Sequence, residues 1–146
     1  MYQKQERKMR ATLEPGLAAP DQLRRTARFY FDHYVENRDY FQIFWAIENQ
    51  AVIGELPPEV VEEVVRLWEE GLRLLAGIVE RGIAEGEFVA CDAWEVASIL
   101  WTLANAIIRS ERSAAHRGLR RRELDRYFDD AIALVLRGLG TPAARA

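Results

Sequence analysis

Apolar residues recur through most of this chain at alternating spacings of three and four residues, which gathers them on one face of an α-helix. The longest such run extends from residue 58 to residue 85 and predicts a helix of about 40 Å. Its apolar stripe consists of Val61, Val64, Trp68, Gly71, Leu75, Ile78 and Gly82. We expect this helix to be the spine of the domain, with another helix backbone approaching closely at each of the two glycines.

Proline and glycine residues divide the rest of the chain into further helices. The pattern predicts a mostly polar helix over residues 2–14, two helices over 20–37 and 39–50, and two more over 92–112 and 122–139. An arginine-rich loop is expected between the last two, and β-branched residues never alternate with polar ones for long enough to predict a strand. The fold class is therefore all-α, a helical bundle of about six helices. We expect a single domain over residues 1–146, with its helical core at 20–139.

The connection before the fifth helix carries several boundary signals. Gly82 and Gly86 bracket the predicted helix end, since glycine adopts a left-handed C-terminal cap without steric cost. Asp92 then stands at an N-cap position with Glu95 three residues later, the spacing of a capping box. The helix that follows is apolar on more than one face, so we expect it to be buried on several sides.

The last helix is apolar over nearly its whole circumference from Tyr127 onwards. A terminal helix of this kind exposes a large apolar patch unless another molecule covers it. Together with the fifth helix it predicts a homodimer interface. The residues predicted to form that interface are Ala97, Ala104, Ile108, Tyr127, Ala131, Leu134 and Val135.

Composition restricts the class of protein. Hydrophobic residues make up 49% of the 146 residues and charged residues 29%, which is typical of a globular domain. The net charge of −3 and the pI of about 5.5 do not favour a nucleic-acid-binding surface. Cys91, the single cysteine, excludes an internal disulfide and fits a reducing compartment. No apolar run approaches the roughly 20 residues that span a bilayer, so we expect a cytoplasmic protein.

Residues for catalysis are scarce, and we predict no enzyme activity, no metal and no cofactor. The chain has two histidines, and Glu-x-x-His pairs for a di-metal bundle do not occur. Cys91 precedes a predicted helix N-terminus, which can lower a thiol pKa, although a half-buried loop thiol is the favoured interpretation. The arginine run from Arg117 to Arg126 could contact phosphate, but acidic residues dilute it and a solvated loop is favoured.

A cluster of aromatic residues is the better candidate for a binding site. This cluster lies within seventeen residues on two adjacent predicted helices and consists of Phe29, Tyr30, His33, Tyr34, Phe41, Phe44 and Trp45. Ordinary core filling is one interpretation. The other is a small-molecule pocket, because a few polar side chains lie beside the apolar faces. The residues predicted to contact a ligand are Phe29, His33, Phe44, Trp45, Glu48, Trp68, Trp101 and Asn105.

The segment Gly82-Ile83-x-x-Gly86-Glu87-Phe88, followed by Asp92, Ala97 and Leu100-Trp101, resembles the ligand-binding and dimerisation half of tetracycline-repressor-type (TetR) regulators. The resemblance extends from about residue 10 to residue 139 in the order and length of the helices. It implies a ligand cavity between the helices at 20–50, the long helix and the first part of the fifth helix. It also implies a four-helix dimer interface built from the last two helices of each subunit.

The resemblance implies a function by coupled equilibria, in which an apolar or aromatic effector shifts the helices and so respaces two DNA-reading heads. The family's helix-turn-helix precedes such a domain, and residues 1–16 resemble the second half of a connecting helix. DNA binding is therefore expected only through a helix-turn-helix that this sequence does not contain. Three explanations of the missing helix-turn-helix remain open: the sequence is a fragment of a regulator, its reading frame was started late, or the protein truly lacks this part. The alternatives are a free-standing helical dimerisation or ligand-binding module and, less favoured, a small-molecule enzyme.

Overall fold

A computed structural model of the chain describes residues 7–142, apart from the side chains of residues 38, 40 and 41. The predicted first helix lies partly outside these residues; within them, residues 7–10 are helical. The helices that follow are α1 (Ala19–Glu36), α2 (Arg38–Glu48), α3 (Gln50–Ile53), α4 (Pro58–Ala84), α5 (Ala93–Ser110), α6 (Ala114–Leu119) and α7 (Leu124–Leu139). The predicted all-α fold class is confirmed. Between residues 7 and 142 the β structure consists of an isolated antiparallel bridge from Phe88 to Gly140.

Local signals fix most of the helix boundaries. Asp92 caps α5 as predicted, because its carboxylate accepts a hydrogen bond from the backbone N–H of Glu95 at 3.1 Å. Asn37 caps the C-terminus of α1, and Pro58 occupies the first turn of α4, where its missing N–H costs nothing. Gly86 has a φ of 76°, a left-handed conformation that glycine adopts without strain.

The predicted loop after α5 is wrong in part, because its middle folds into the short helix α6. Ser113 supplies the N-cap, its hydroxyl accepting from the backbone N–H of His116 at 3.3 Å. The two alanines that follow have the highest helix propensity of any residue, and this outweighs the polar composition of the segment. Arg120, at the end of this helix, forms an ion pair with Glu111 at 2.7 Å, and Arg122 lies 3.6 Å from Asp130.

Helix α4 is the spine of the bundle. It packs along α5 and also against α1, while α7 packs on α5 and α1. Fully buried side chains from four of these helices meet in the core, and their removal from water drives the assembly. They include Leu23, Val79, Ala97 and Phe128, one from each helix. Among the described residues, none of the helices has both the length and the apolar composition that crossing a bilayer requires.

The two glycines of the α4 stripe do not admit a neighbouring helix backbone as predicted. At Gly82 the close neighbour is the ring of Phe88: a Cβ built on Gly82 would come within 2.9 Å of three of its carbons. At Gly71 a Cβ would meet nothing within 4 Å. One glycine therefore accommodates a buried aromatic ring, and the other leaves open space.

Candidate functional site

The open space beside Gly71 belongs to a cavity of about 100 Å³ in the middle of the bundle. Four helices and the N-terminal segment contribute most of its walls, and α7 contributes Ile132. The side chains and backbone atoms that line it come from Met9, Leu23, Thr26, Ala27, Tyr30, Tyr34, Ile43, Phe44, Val64, Leu67, Trp68, Gly71, Leu75, Leu100, Trp101, Ala104 and Ile132. A mostly apolar lining with a few polar atoms is what a small-molecule site requires.

Aromatic rings form one wall of this cavity. The rings of Phe44 and Trp68 stack with centroids 4.7 Å apart and an interplanar angle of 19°. The Trp101 ring lies 5.3 Å from Trp68, and the Tyr34 ring meets Phe44 edge-on at 5.4 Å. Each of these rings packs against another in a stacked, tilted or edge-on contact, so the wall is held by contacts within the chain.

Polar groups converge at one point of the cavity. The hydroxyl of Tyr30 donates a hydrogen bond to Oδ1 of Asn105, which lies buried on α5. Tyr34 and Trp101 also hydrogen-bond this hydroxyl. Burial, and next the proximity of Tyr34, raise the pKa of Tyr30 well above its ordinary value. Its phenol is therefore protonated at neutral pH and presents a dipole to the cavity instead of a charge.

A second polar network ties the N-terminal segment to the cavity wall. Gln22 donates through Nε2 to the carbonyl oxygen of Thr12 at 3.0 Å and to the hydroxyl of Thr26 at 3.1 Å. The two threonine hydroxyls lie 3.3 Å apart, and the backbone N–H of Glu14 donates to Gln22 at 2.9 Å. All three of the network's side chains are buried. Since buried polar groups cost free energy when a partner leaves, the network holds this segment firmly against α1.

The predicted ligand-contacting residues divide into three groups. Phe44, Trp68 and Trp101 line the cavity. Asn105 reaches it through the hydroxyl of Tyr30. The remaining four residues, Phe29, His33, Trp45 and Glu48, do not line the cavity.

The four predicted residues that do not line the cavity form two pairs, one on α1 and one on α2. Phe29 and His33 stack on each other at 6.0 Å on the flank of α1. On α2, Trp45 is 43% exposed and Glu48 forms an ion pair with Arg109. The α1 face that reaches the cavity is the one defined by Thr26, Tyr30 and Tyr34 at steps of four residues.

Of the seventeen lining residues, fourteen were not among the predicted contacts. Tyr30 and Tyr34 belong to the predicted aromatic cluster, and their spacing of four residues, continued back to Thr26, was the available signal. Gly71 was interpreted as a close contact between helices. The sequence offers no means of telling an empty glycine position from a crowded one.

The residues predicted to form the dimer interface fall into a buried group on α5 and a more exposed group on α7. Ala97, Ala104 and Ile108 are buried within the chain itself, at 0%, 6% and 6% exposure. Within the single chain these three side chains are covered by the chain's own core. Their part in a dimer interface stays a prediction.

Helix α7 keeps an apolar outer face. Leu134 is 64% exposed and Tyr127 45% exposed, while Ala131 and Val135 are half-buried beside them. These four side chains line a groove between α5 and α7 whose rim carries Arg120, Arg121 and Arg122. One face of α7 therefore packs in the core of the chain, and the opposite face lies at its surface.

Comparisons with known proteins agree with this architecture. Two solved structures from Rhodococcus RHA1 are similar to the chain over nearly its whole length. One, described as a protein with unknown function, has a TM-score of 0.74 at 18% identity and covers 96% of this chain and 68% of its own. The other, a bacterial regulatory protein in the tetR family, has a TM-score of 0.68 at 21% identity and covers 95% and 68%. At these identities the likeness shows the fold.

No curated protein matches this chain. The family profile described as the tetracyclin repressor-like, C-terminal domain matches residues 16–109, which is more than half of the sequence. That span includes α1 to α4 and nearly all of α5, the helices that carry most of the cavity wall. The chain therefore belongs to the family of tetracycline-repressor-like C-terminal domains.

Proposed function

We propose that this chain is the effector-sensing and dimerisation domain of a TetR-type transcription regulator, and that it binds a small apolar or aromatic molecule in the cavity between α1, α2, α4 and α5. The observation that carries the proposal is a cavity of about 100 Å³ with a preformed aromatic wall, in a domain of this family. The role that we propose is regulatory and not enzymatic, as the match to the tetracyclin repressor-like C-terminal domain supports. The single, exposed cysteine fits action in the cytoplasm.

The N-terminal segment supports a route from ligand to output. Met9 lines the cavity, and three residues later Thr12 joins the buried network with Gln22 and Thr26. A ligand that prefers one position of Met9 therefore shifts the position of the segment that leads into α1. Such coupling requires a different affinity for the two positions. DNA binding would come from a helix-turn-helix joined before this segment.

The outer face of α7 supports dimerisation. Leu134 and Tyr127 expose apolar surface beside the groove between α5 and α7. Covering them with the same face of a second subunit gives a symmetric interface. The interface we propose uses Tyr127, Ala131, Leu134 and Val135 of the predicted set.

Ligand binding is tested by filling the cavity from Gly71. The variant Gly71→Leu places a side chain in the open space, and we expect it to abolish the quenching of tryptophan fluorescence that toluene causes in the wild type. The matched control is Gly77→Leu, on the exposed side of the same helix with nothing within 4 Å of its Cβ position. Equal toluene affinity in wild type and Gly71→Leu would remove the cavity from the proposal.

Dimerisation is tested by placing a charge on α7. Leu134→Glu should convert a wild-type dimer into monomer, because a carboxylate cannot be buried in an apolar interface without a partner. Val52→Glu is the matched control, since Val52 is 81% exposed and lies on α3. Sedimentation at micromolar concentration measures both. A wild type that sediments as a monomer would refute this part of the proposal.

A further inference from the structure

Helix α2 is the wall of the cavity that is least firmly attached to the rest of the chain. It contributes Ile43 and Phe44 to the lining, and it packs chiefly on α1 and α3, its neighbours in sequence. Among the side chains of α2 that the structure describes, Phe44 is the only buried one, at 9% exposure. A helix that buries so little apolar area gains little free energy from staying in place.

The other main walls of the cavity are each tied into the core of the bundle. Helices α4 and α5 pack along each other. Helix α1 is joined to the N-terminal segment by the buried hydrogen bonds of Gln22. It is also joined to α7 by Arg28, which forms ion pairs with Asp125 at 2.8 Å and Asp129 at 3.4 Å. Moving α1, α4 or α5 outwards would therefore break buried contacts, whereas moving α2 would chiefly uncover Phe44.

Non-helical residues bound α2 at both ends. Asn37, before the helix, has φ and ψ of −122° and 69°. Its side chain bonds the His33 carbonyl at 2.8 Å instead of capping the first turn of α2. Asn49, after the helix, has φ and ψ of −118° and 26°. Residues at the ends of an element can absorb the changes in dihedral angle that let the element move as a unit, so α2 has a possible hinge at each end.

An ion pair joins the C-terminal end of α2 to α5. Glu48, the last residue of α2, pairs with Arg109 in the last turn of α5. Trp101, which lines the cavity, lies on α5 about two turns before Arg109. The Glu48 and Arg109 side chains are 37% and 45% exposed, so the pair can break and form again without leaving an unpaired charge in the core.

We propose that α2 is the lid through which a ligand enters and leaves the cavity, and that the Glu48–Arg109 ion pair holds this lid closed. The inference rests on the proposed function and adds how access to its site is controlled. Glu48, which does not line the cavity, then acts on the rate of binding and not on the fit of the ligand. Since the ion pair stabilises the closed lid with or without a ligand, it slows association and dissociation by the same factor and leaves the affinity unchanged.

The first test measures the exchange of toluene in the wild-type chain, in Glu48→Gln, in Arg109→Gln and in the double variant. Fluorescence titration gives the affinity, NMR line shapes of toluene give the dissociation rate, and the association rate follows from the two. In each variant we expect both rates to rise about two- to fivefold, the effect of one exposed ion pair, while the affinity stays within about twofold. The double variant should match the single ones, because either substitution already removes the pair. Glu69→Gln is the matched control, since it breaks an exposed ion pair with Arg73 on α4 and should leave both rates unchanged.

The second test holds the lid closed by a covalent link. In a Cys91→Ser background, a short bis-maleimide joins the thiols introduced by Glu48→Cys and Arg109→Cys, and the same protein before cross-linking is the control. The cross-linked protein should release toluene at least about tenfold more slowly, because the lid can no longer open. Release as fast as in the control would mean that the ligand uses another entrance, and the inference would be overturned.

The exchange rates also distinguish this inference from the proposed function. Unchanged rates in Glu48→Gln and Arg109→Gln, or an equal rise in Glu69→Gln, would overturn the inference while the proposed function stands. A changed affinity with an unchanged association rate would do the same, because the ion pair would then act on the fit of the bound ligand. If toluene does not bind the wild type up to its solubility limit, the proposed function itself fails, and the inference with it.

Discussion

Gly71 and Gly82 lie on the same stripe of α4, yet they occupy opposite surroundings. Gly82 is buried against Phe88, whose backbone N–H donates to the Gly82 carbonyl at 3.0 Å and whose ring is 2% exposed. Gly71 faces the cavity. The end of α4 near Phe88 is a solid core, and the middle of α4 is hollow. Identical residues at equivalent positions therefore mark a packed half and a hollow half of the domain.

The solid half is held by backbone hydrogen bonds as well as by side-chain packing. The connection that follows α4 joins the end of α7: the backbone N–H of Val89 donates to the Leu139 carbonyl at 2.8 Å, and that of Thr141 to the Glu87 carbonyl at 3.1 Å. These bonds fix the backbone on both sides of Phe88, whose side chain is buried against α4. In the hollow half, the aromatic side chains of the wall are held by ring contacts with one another and by the hydrogen bonds of Tyr34 and Trp101 to the Tyr30 hydroxyl.

The largest effect is expected at Gly82. Gly82→Ala should lower the free energy of unfolding by about 2 kcal/mol, since overpacking costs about 3 kcal/mol and alanine returns about 1 through its better helix propensity. Urea denaturation followed by circular dichroism measures this. Gly77→Ala is the control, because its Cβ meets nothing within 4 Å. A Gly82→Ala protein as stable as the control would show that Phe88 is free to move and that the solid half is not rigid.

A smaller effect of opposite sign is expected at Gly71. Gly71→Ala should raise the free energy of unfolding by about 0.5–1 kcal/mol, because alanine loses less conformational entropy in a helix and the added methyl group enters open space. Gly77→Ala should gain a similar amount in the same urea experiment. A loss of stability in Gly71→Ala alone would mean that a neighbour approaches this position and that the middle of α4 is not hollow.

Helices and caps could be predicted from the sequence, because those signals act over a few residues. The stripe of α4, the Asp92 cap and the end of α1 at Asn37 are examples. The site could be predicted only in part, since three of eight proposed contacts, Phe44, Trp68 and Trp101, line the cavity.

The other contacts depend on how each helix is rotated about its axis. That rotation is set by packing between helices distant in sequence, such as the contact of Tyr30 with Asn105. An amphipathic pattern defines the apolar side of α2 only broadly, which is why Trp45 was predicted inside and lies 43% exposed. The solid and hollow halves differ by the same kind of long-range packing.

The smallest effect concerns His33, at the edge of the hollow half beside Tyr34. Burial lowers the pKa of His33, the positive charge of Lys8 lowers it further, and Glu36 opposes both. The folded chain therefore binds a proton more weakly than the unfolded chain does, so this contribution to stability is complete above about pH 6.5 and declines as the pH falls below it. Between pH 7.5 and 5.5 the wild type should lose slightly more unfolding free energy than His33→Gln, as urea titrations at each pH would show. An identical pH dependence in wild type and His33→Gln would show that His33 is solvated when folded, and that the edge of the hollow half is open to water.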